Sequence, residues 1–175
     1  YDAEGDQLDE ANETFSIALS NNDNCALGGG APHQHTIEDN DDPPDVQFSV
    51  SGNTYAEDQG EVTVTVDLST QSGKDGITVN YSIDPSSTAD TDDHNLSAGI
   101  LSYTSSTSES FSFNITEDDL DESDEELLVL YLSGNNENDL TIGENETHTI
   151  TITDIDGMPT VSIGETGSGA ESVTS

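Results

Sequence analysis

An all-β fold, built as antiparallel β-sandwiches repeated along one chain, is what three features of this sequence predict. Apolar residues recur with a period of two, turn-forming clusters separate the runs, and one segment's pattern returns more than a hundred residues later. A period of two is the strand period, because successive side chains of an extended backbone point to opposite faces.

Taken in order, Val46, Phe48 and Val50 alternate with polar residues and predict a first strand. Ser51-Gly52-Asn53 has turn chemistry, and Val62, Val64, Val66 and Leu68 form the next run. The segment Gln71-Ser72-Gly73-Lys74-Asp75-Gly76 then turns the chain into Ile77, Val79, Tyr81 and Ile83. Phe111, Phe113 and Ile115 follow, then Leu128, Leu130 and Leu132, which stop at Ser133-Gly134-Asn135-Asn136. Ile150 and Ile152 close the unit, and no stretch keeps helical spacing. About seven strands in roughly 115 residues, each with one buried face, describe an immunoglobulin-like antiparallel sandwich of two sheets.

Self-comparison sets the organisation. Thr36-Ile-Glu-Asp-Asn-Asp-Asp-Pro-Pro-Asp-Val-Gln-Phe48 matches Thr151-Ile-Thr-Asp-Ile-Asp-Gly-Met-Pro-Thr-Val-Ser-Ile163. Leu8-Asp9-Glu10 matches Leu120-Asp121-Glu122, and Ala56-Glu57 is echoed by Ala170-Glu171. Three matches in one order read as a tandem array: residues 1–43 the end of one repeat, 44–157 a complete repeat, 158–175 the start of a third. The joints fall near Pro43-Pro44 and Met158-Pro159, with a residue or two expected between the last strand of one unit and the first of the next.

The chain carries 38 Asp and Glu against one Lys or Arg, a formal charge of −37. Such an excess repels nucleic acid and anionic membranes and invites metal cations, basic surfaces or a high-salt environment, in which the carboxylates merely hold water and salt. No apolar run approaches the ~20 residues of a membrane span, and no signal peptide opens the chain, so Tyr1 reads as a position inside a longer polypeptide. Cys25 has no intrachain partner for a disulfide and reads as a loop residue, or as a link to another chain. Sequons at Asn12, Asn80, Asn95, Asn114 and Asn145 are compatible with an extracellular protein.

The acid is concentrated. Glu117 to Glu126 forms the densest block, Asp154-Ile155-Asp156 follows the last strand, and Glu57 follows the first. In an up-and-down sandwich, a terminal cluster and an internal one meet at the same end. Two like charges at ~4 Å repel by about 4 kcal/mol at an effective dielectric of 20, so a few contacts rival a domain's whole ~5–15 kcal/mol stability. Such a cluster is protonated, splayed apart or bridged by cations. Calcium suits it, since it takes six to eight oxygens in flexible geometry. Zinc favours Cys and His, which the acidic loops lack. Scattered acids such as Glu61 and Asp67 read as solvated surface.

An acidic loop, an alternating strand, then Thr-Ile-Thr-Asp-x-Asp and a Pro: this order resembles the Calx-β domain along the whole chain. That family occurs in sodium/calcium exchangers, in integrin β4 and in arrays in bacterial surface proteins. The resemblance implies calcium ligands at Glu57, Glu117, Asp118, Asp119, Glu122, Glu125, Asp154 and Asp156, with the backbone carbonyl of Leu120. In the preceding unit it implies Asp6, Glu10, Glu13, Asp39 and Asp41, where Glu13 matches either Glu125 or Glu126. The sequence departs from the family at several places. Ile155 and Asn40 stand in the middle of the Asp triplets, and Gly5 and Gln7 stand where the complete repeat has Glu117 and Asp119. The family's Asp-Gly-Thr-Ala turn reads Ser86-Ser87-Thr88-Ala89, leaving Asp84, Asp90 and Asp93 as candidates for the missing ligand. One or two ions per repeat are therefore expected.

Catalysis has little support. Clustered carboxylates without a cleft do not make a glycosidase pair, and Ser and Thr occur without triad context. His33 and His35 would share a strand face, and His94 and His148 are the only other histidines. The expectation is a calcium-stiffened spacer of an extracellular or cell-surface adhesin or filament, with neighbouring repeats, and other copies of the chain in a filament, as its partners. The alternatives are a recognition module for protein or glycan, and a calcium sensor, which would work near micromolar calcium.

Overall fold

The computed structural model describes residues 5, 7–20, 23–26, 28–30, 32–134 and 140–164. In chain order its strands are β1 (Glu13–Ile17), β2 (His33–Ile37), β3 (Asp45–Phe48), β4 (Gly52–Ala56), β5 (Glu61–Leu68) and β6 (Ile77–Ile83). They continue as β7 (Gly99–Tyr103), β8 (Ser108–Asn114), β9 (Glu125–Gly134), β10 (Thr141–Ile142) and β11 (Thr147–Thr153). The one helical element among the described residues is a 3-10 turn at Glu57–Gln59.

Strands β3 to β11 make the sandwich. One sheet has the order β10-β3-β5-β8 and the other β4-β11-β9-β6-β7. Alternation works as the sequence predicts: in β5, Val62, Val64, Val66 and Leu68 point inward while Glu61 and Thr63 face water. Phe48, Val66, Leu128, Leu130 and Ile150 are fully enclosed between the sheets, and the Tyr81 ring stacks on Phe111 at 3.8 Å. His148 is also buried, its Nδ1 bonded to the Val50 carbonyl at 2.8 Å, and burial holds its pKa below the ordinary value.

Four expectations change. Val50 is not in the core; it is 49% exposed, because the chain leaves the first sheet after Phe48 and crosses to the second as β4. The topology is not up-and-down: β4 pairs parallel with β11, and β10 parallel with β3. The crossing requires glycine at position 52, where a Cβ would sit 2.6 Å from the Thr149 carbonyl oxygen. The sandwich also has nine strands where about seven were expected: β4, whose opening Gly52-Asn53 read as a turn, β7, which buries Leu101 and Tyr103, and two-residue β10 were not singled out.

The fourth change concerns the joint. Strand β2 ends at Ile37 and β3 begins at Asp45, so residues 38–44 separate them. The backbone leaves the ladder because Asp39 is taken up in a turn: its carboxylate accepts from Glu10 N at 3.1 Å and Asp41 N at 3.5 Å. Pro44 is buried against the sandwich, its carbonyl accepting from Thr141 N. Ahead of the joint, β1 and β2 pair antiparallel as a separate two-stranded sheet with exposed faces, on which His33 and His35 lie.

Candidate metal centre

Strand direction brings the acids together. Parallel β4 and β11, in register at Ala56 and Thr153, leave the sandwich at one end and there release Glu57 and Asp154 to Asp156. Antiparallel β9 enters from the same end, Glu125 opposite Thr153, so the acidic block before it is held there too. Beyond β8, Ile115 bridges to His94, which is buried edge-on against Phe113 and so anchors the turn carrying Asp93. Thr116 N donates to the Asp93 carbonyl at 2.8 Å.

Two groups result. Glu57, Asp154 and Asp156 each present a carboxylate oxygen within 4.8 Å of the others, and so do Asp93, Glu122 and Glu126. Glu57, Asp93, Glu122, Glu126 and Asp154 line one narrow cleft of about 10 Å³, room for about one water-sized sphere. Glu57 is only 5% exposed, and its Oε1 accepts from Ile155 N at 3.0 Å. Asp154 organises the turn, accepting from Asp156 N at 2.8 Å and from Glu122 N at 3.0 Å. The Asp156 Oδ2 atom is buried with no hydrogen-bond partner.

The charges oppose one another. Burial, then the neighbouring Asp154 and Asp156 charges, push the Glu57 carboxyl up. Burial and the Asp93, Asp118 and Asp154 charges raise Glu122. Burial, a hydrogen bond to Asp93 and the Asp93 charge push Glu126 up to about 7. Asp154 is held low, first by the Asp156 backbone N–H and also by that of Glu122.

This sets a pH dependence without calcium. A folded-state pKa near 7 against an ordinary 4.5 for Glu126 gives stability that is present below about 4.5 and lost as pH rises to about 7. Glu57 and Glu122 act in the same direction. In chelator, stability should therefore rise on acidification from pH 8 to 5, as read by urea unfolding. A cation held by these groups would oppose the trend, because it would favour the ionised carboxylates. A chelator profile that falls over this range would contradict the geometry.

The residues implied at the sequence level are placed as follows. Glu57, Glu122, Asp154 and Asp156 lie within the two groups. Asp118 is half-buried and bonds Leu120 N at 2.7 Å, while Glu117, Asp119 and Leu120 are exposed. Glu125 is exposed, and it is Glu126 that stands beside Glu122 and Asp93. Of the three candidates for the missing turn ligand, Asp93 is the one in the cluster; no spacing signal singles it out, since His94 and Ile115 place it through tertiary contact. In the preceding unit Glu10, Asp39 and Asp41 are half-buried and Glu13 is exposed, while Asp6 lies outside the described residues. Glu13 faces Ile37 as Glu126 faces Ile152, which aligns it with Glu126.

The donor set is oxygen throughout, with one buried carboxylate oxygen lacking any partner and a buried glutamate facing two aspartates. A hard divalent cation fits it. Calcium accepts several carboxylates at once, whereas zinc would find no nitrogen or sulfur in either group. The one cation of the sequence, Lys74, is elsewhere, paired with Asp9 at 2.8 Å.

Comparison with known proteins finds the same fold elsewhere. The apo form of the Calx CBD1 domain has a TM-score of 0.59 at 21% identity, covering 66% of this chain and 100% of that one. The calcium binding domain CBD12 of CALX1.1 has a TM-score of 0.55 at 22% identity over 63% of this chain, which spans 44% of that structure. A two-domain protein of unknown function from Bacteroides fragilis scores 0.50 at 11% identity, over 64% of this chain and 46% of that one. At these identities the likeness is one of fold. No curated protein matches the chain. The Calx-beta domain family model matches residues 39–156, well over half of the sequence, and the chain belongs to the Calx-beta domain family.

Proposed function

We propose that this chain is a calcium-binding, calcium-stiffened spacer of an extracellular or cell-surface protein, without catalytic activity. The observation that carries the reading is the convergence of Glu57, Asp93, Glu122, Glu126, Asp154 and Asp156 at the end where the chain leaves the sandwich. These six residues would hold calcium, with Glu117, Asp118, Asp119 and the Leu120 carbonyl beside them. Glu10, Asp39, Asp41 and Glu13 are the corresponding set in the preceding unit. Bound calcium supplies the positive charge that the cleft lacks.

The chain's own residues turn that charge into stiffness. Asp154 ties the exit of β11 to the loop before β9 through the Glu122 N–H. Glu57 ties the same exit to β4 through the Ile155 N–H. Relieving the repulsion among these carboxylates fixes the direction in which the chain leaves, and so the angle to the next unit. The calcium binding named for CBD12 of CALX1.1 supports the cofactor assignment by likeness of fold.

Small-angle scattering tests the reading on a chain with two complete repeats in series. It should be extended and narrow in its distribution of maximum dimension in calcium, and broader in chelator, with circular dichroism showing both sandwiches still folded. Unchanged dimensions on calcium removal would contradict the stiffening role.

A further inference from the structure

The two acidic tips of the chain are built alike and covered differently. In the preceding unit Glu10 N donates to Asp39 Oδ2 at 3.1 Å, and in the complete repeat Glu122 N donates to Asp154 Oδ2 at 3.0 Å. Asp41 N bonds Asp39 Oδ1 as Asp156 N bonds Asp154 Oδ1. These bonds equate Leu8-Asp9-Glu10 with Leu120-Asp121-Glu122 residue by residue. Yet Asp9 is 2% exposed and Leu8 half-buried, while Asp121 is exposed and Leu120 is 61% exposed.

What covers the first tip is the 71–76 turn of the complete repeat. The Asp9 carbonyl accepts from Gly73 N at 3.0 Å and from Ser72 Oγ at 3.3 Å, and the Asp9 carboxylate pairs with Lys74 at 2.8 Å. Lys74 is the only Lys or Arg in the sequence. Gly73 lies so close that a Cβ there would meet Glu10 Cγ at 2.5 Å and Leu8 Cδ2 at 3.0 Å. A chain of net charge −37 thus places its single cation on the tip of the unit before it.

We propose that the Leu120-Asp121-Glu122 tip is a docking surface for the following repeat, whose turn equivalent to Ser72-Gly73-Lys74 clamps it through a lysine. The occupant has defined chemistry: a small, glycine-tight turn with a hydroxyl and a cation, which matches an exposed leucine and an acid. Residues 158–163 already repeat the opening of the complete unit. The proposal rests on the tandem reading above and adds to it a direct contact between units.

The test joins residues 1–163 to a second copy of residues 49–175, a splice that keeps register because Ile163 corresponds to Phe48. With Cys25→Ser throughout, three cysteine pairs are compared for closure by a short bifunctional maleimide. Leu120→Cys is paired with Ser72→Cys of the second copy, which leaves Asp121 and Lys74 in place. Leu8→Cys with Ser72→Cys of the first copy reports the contact already described, and Asp67→Cys with the second copy's Ser72→Cys reports random encounter. Docking predicts that the first pair closes about tenfold or more faster than the Asp67 pair, as proximity requires. Closure no faster than the Asp67 pair, in calcium and in chelator alike, overturns the proposal, whether or not the Leu8 pair closes. Fast closure in both conditions, with scattering dimensions unchanged by calcium, upholds docking while the calcium-stiffening reading fails.

Discussion

Calcium should raise the unfolding midpoint of this chain at low salt by on the order of 10 °C over its value in chelator. The cause is the pair of carboxylate groups at one end of the sandwich, with no cation among them. At a hundred times its dissociation constant, one ion that binds only the folded state adds about 2.7 kcal/mol. A domain of this size gains roughly 3–6 °C per kcal/mol. The comparison must be made at low ionic strength, because the screening length falls to about 3 Å in molar salt, where carboxylate repulsion is largely screened without a bound ion. Equal midpoints at low salt would contradict the account. Equal midpoints in molar salt alone would show only that screening replaces the ion.

Glu57→Gln has effects of opposite sign in the two conditions. The wild-type side chain is buried and faces Asp154 and Asp156, and both charges push its carboxyl up. In chelator the neutral amide removes that repulsion and keeps an oxygen for the Ile155 N–H, so the variant should gain on the order of 1–3 kcal/mol. In saturating calcium it should lose a proposed ligand and much of the roughly 2.7 kcal/mol that a bound ion would supply. Urea unfolding in both conditions reads the two signs directly. Asp67→Asn is the control: Asp67 accepts from the Ser49 and Ser108 hydroxyls on the outer face, away from the cleft. It should shift both conditions alike, by less than about 1 kcal/mol. Destabilisation of Glu57→Gln by the same amount with and without calcium would make Glu57 a packing residue only.

What could be read from sequence was whatever obeys a local rule. The run Val62, Val64, Val66, Leu68 declares its buried face because period two is a property of the strand itself. Val50 continues the alternation of Val46 and Phe48, yet its backbone has already left the first sheet, and alternation carries no record of a change of partner. The meeting of Glu57 with Asp154 was expected from an up-and-down order. It arises instead from the parallel pairing of β4 with β11, a long-range choice that the intervening residues do not encode locally. Glu125 and Glu126 are equivalent as letters, and only the register of β9 on β11 puts Glu126 next to Glu122 and Asp93. Lys74 read as part of a polar turn, and its partner Asp9 is 65 positions earlier, across the joint.

The most direct test of the central claim is a calorimetric titration of the chain with calcium at neutral pH and low salt. The account predicts one or two ions per complete repeat, binding with dissociation constants of about 10⁻⁴–10⁻³ M, the range of extracellular modules. The heat should be strongly reduced in Glu57→Gln and unchanged in Asp67→Asn. The absence of calcium heat at millimolar concentrations, or identical isotherms for the wild type and Glu57→Gln, would contradict it.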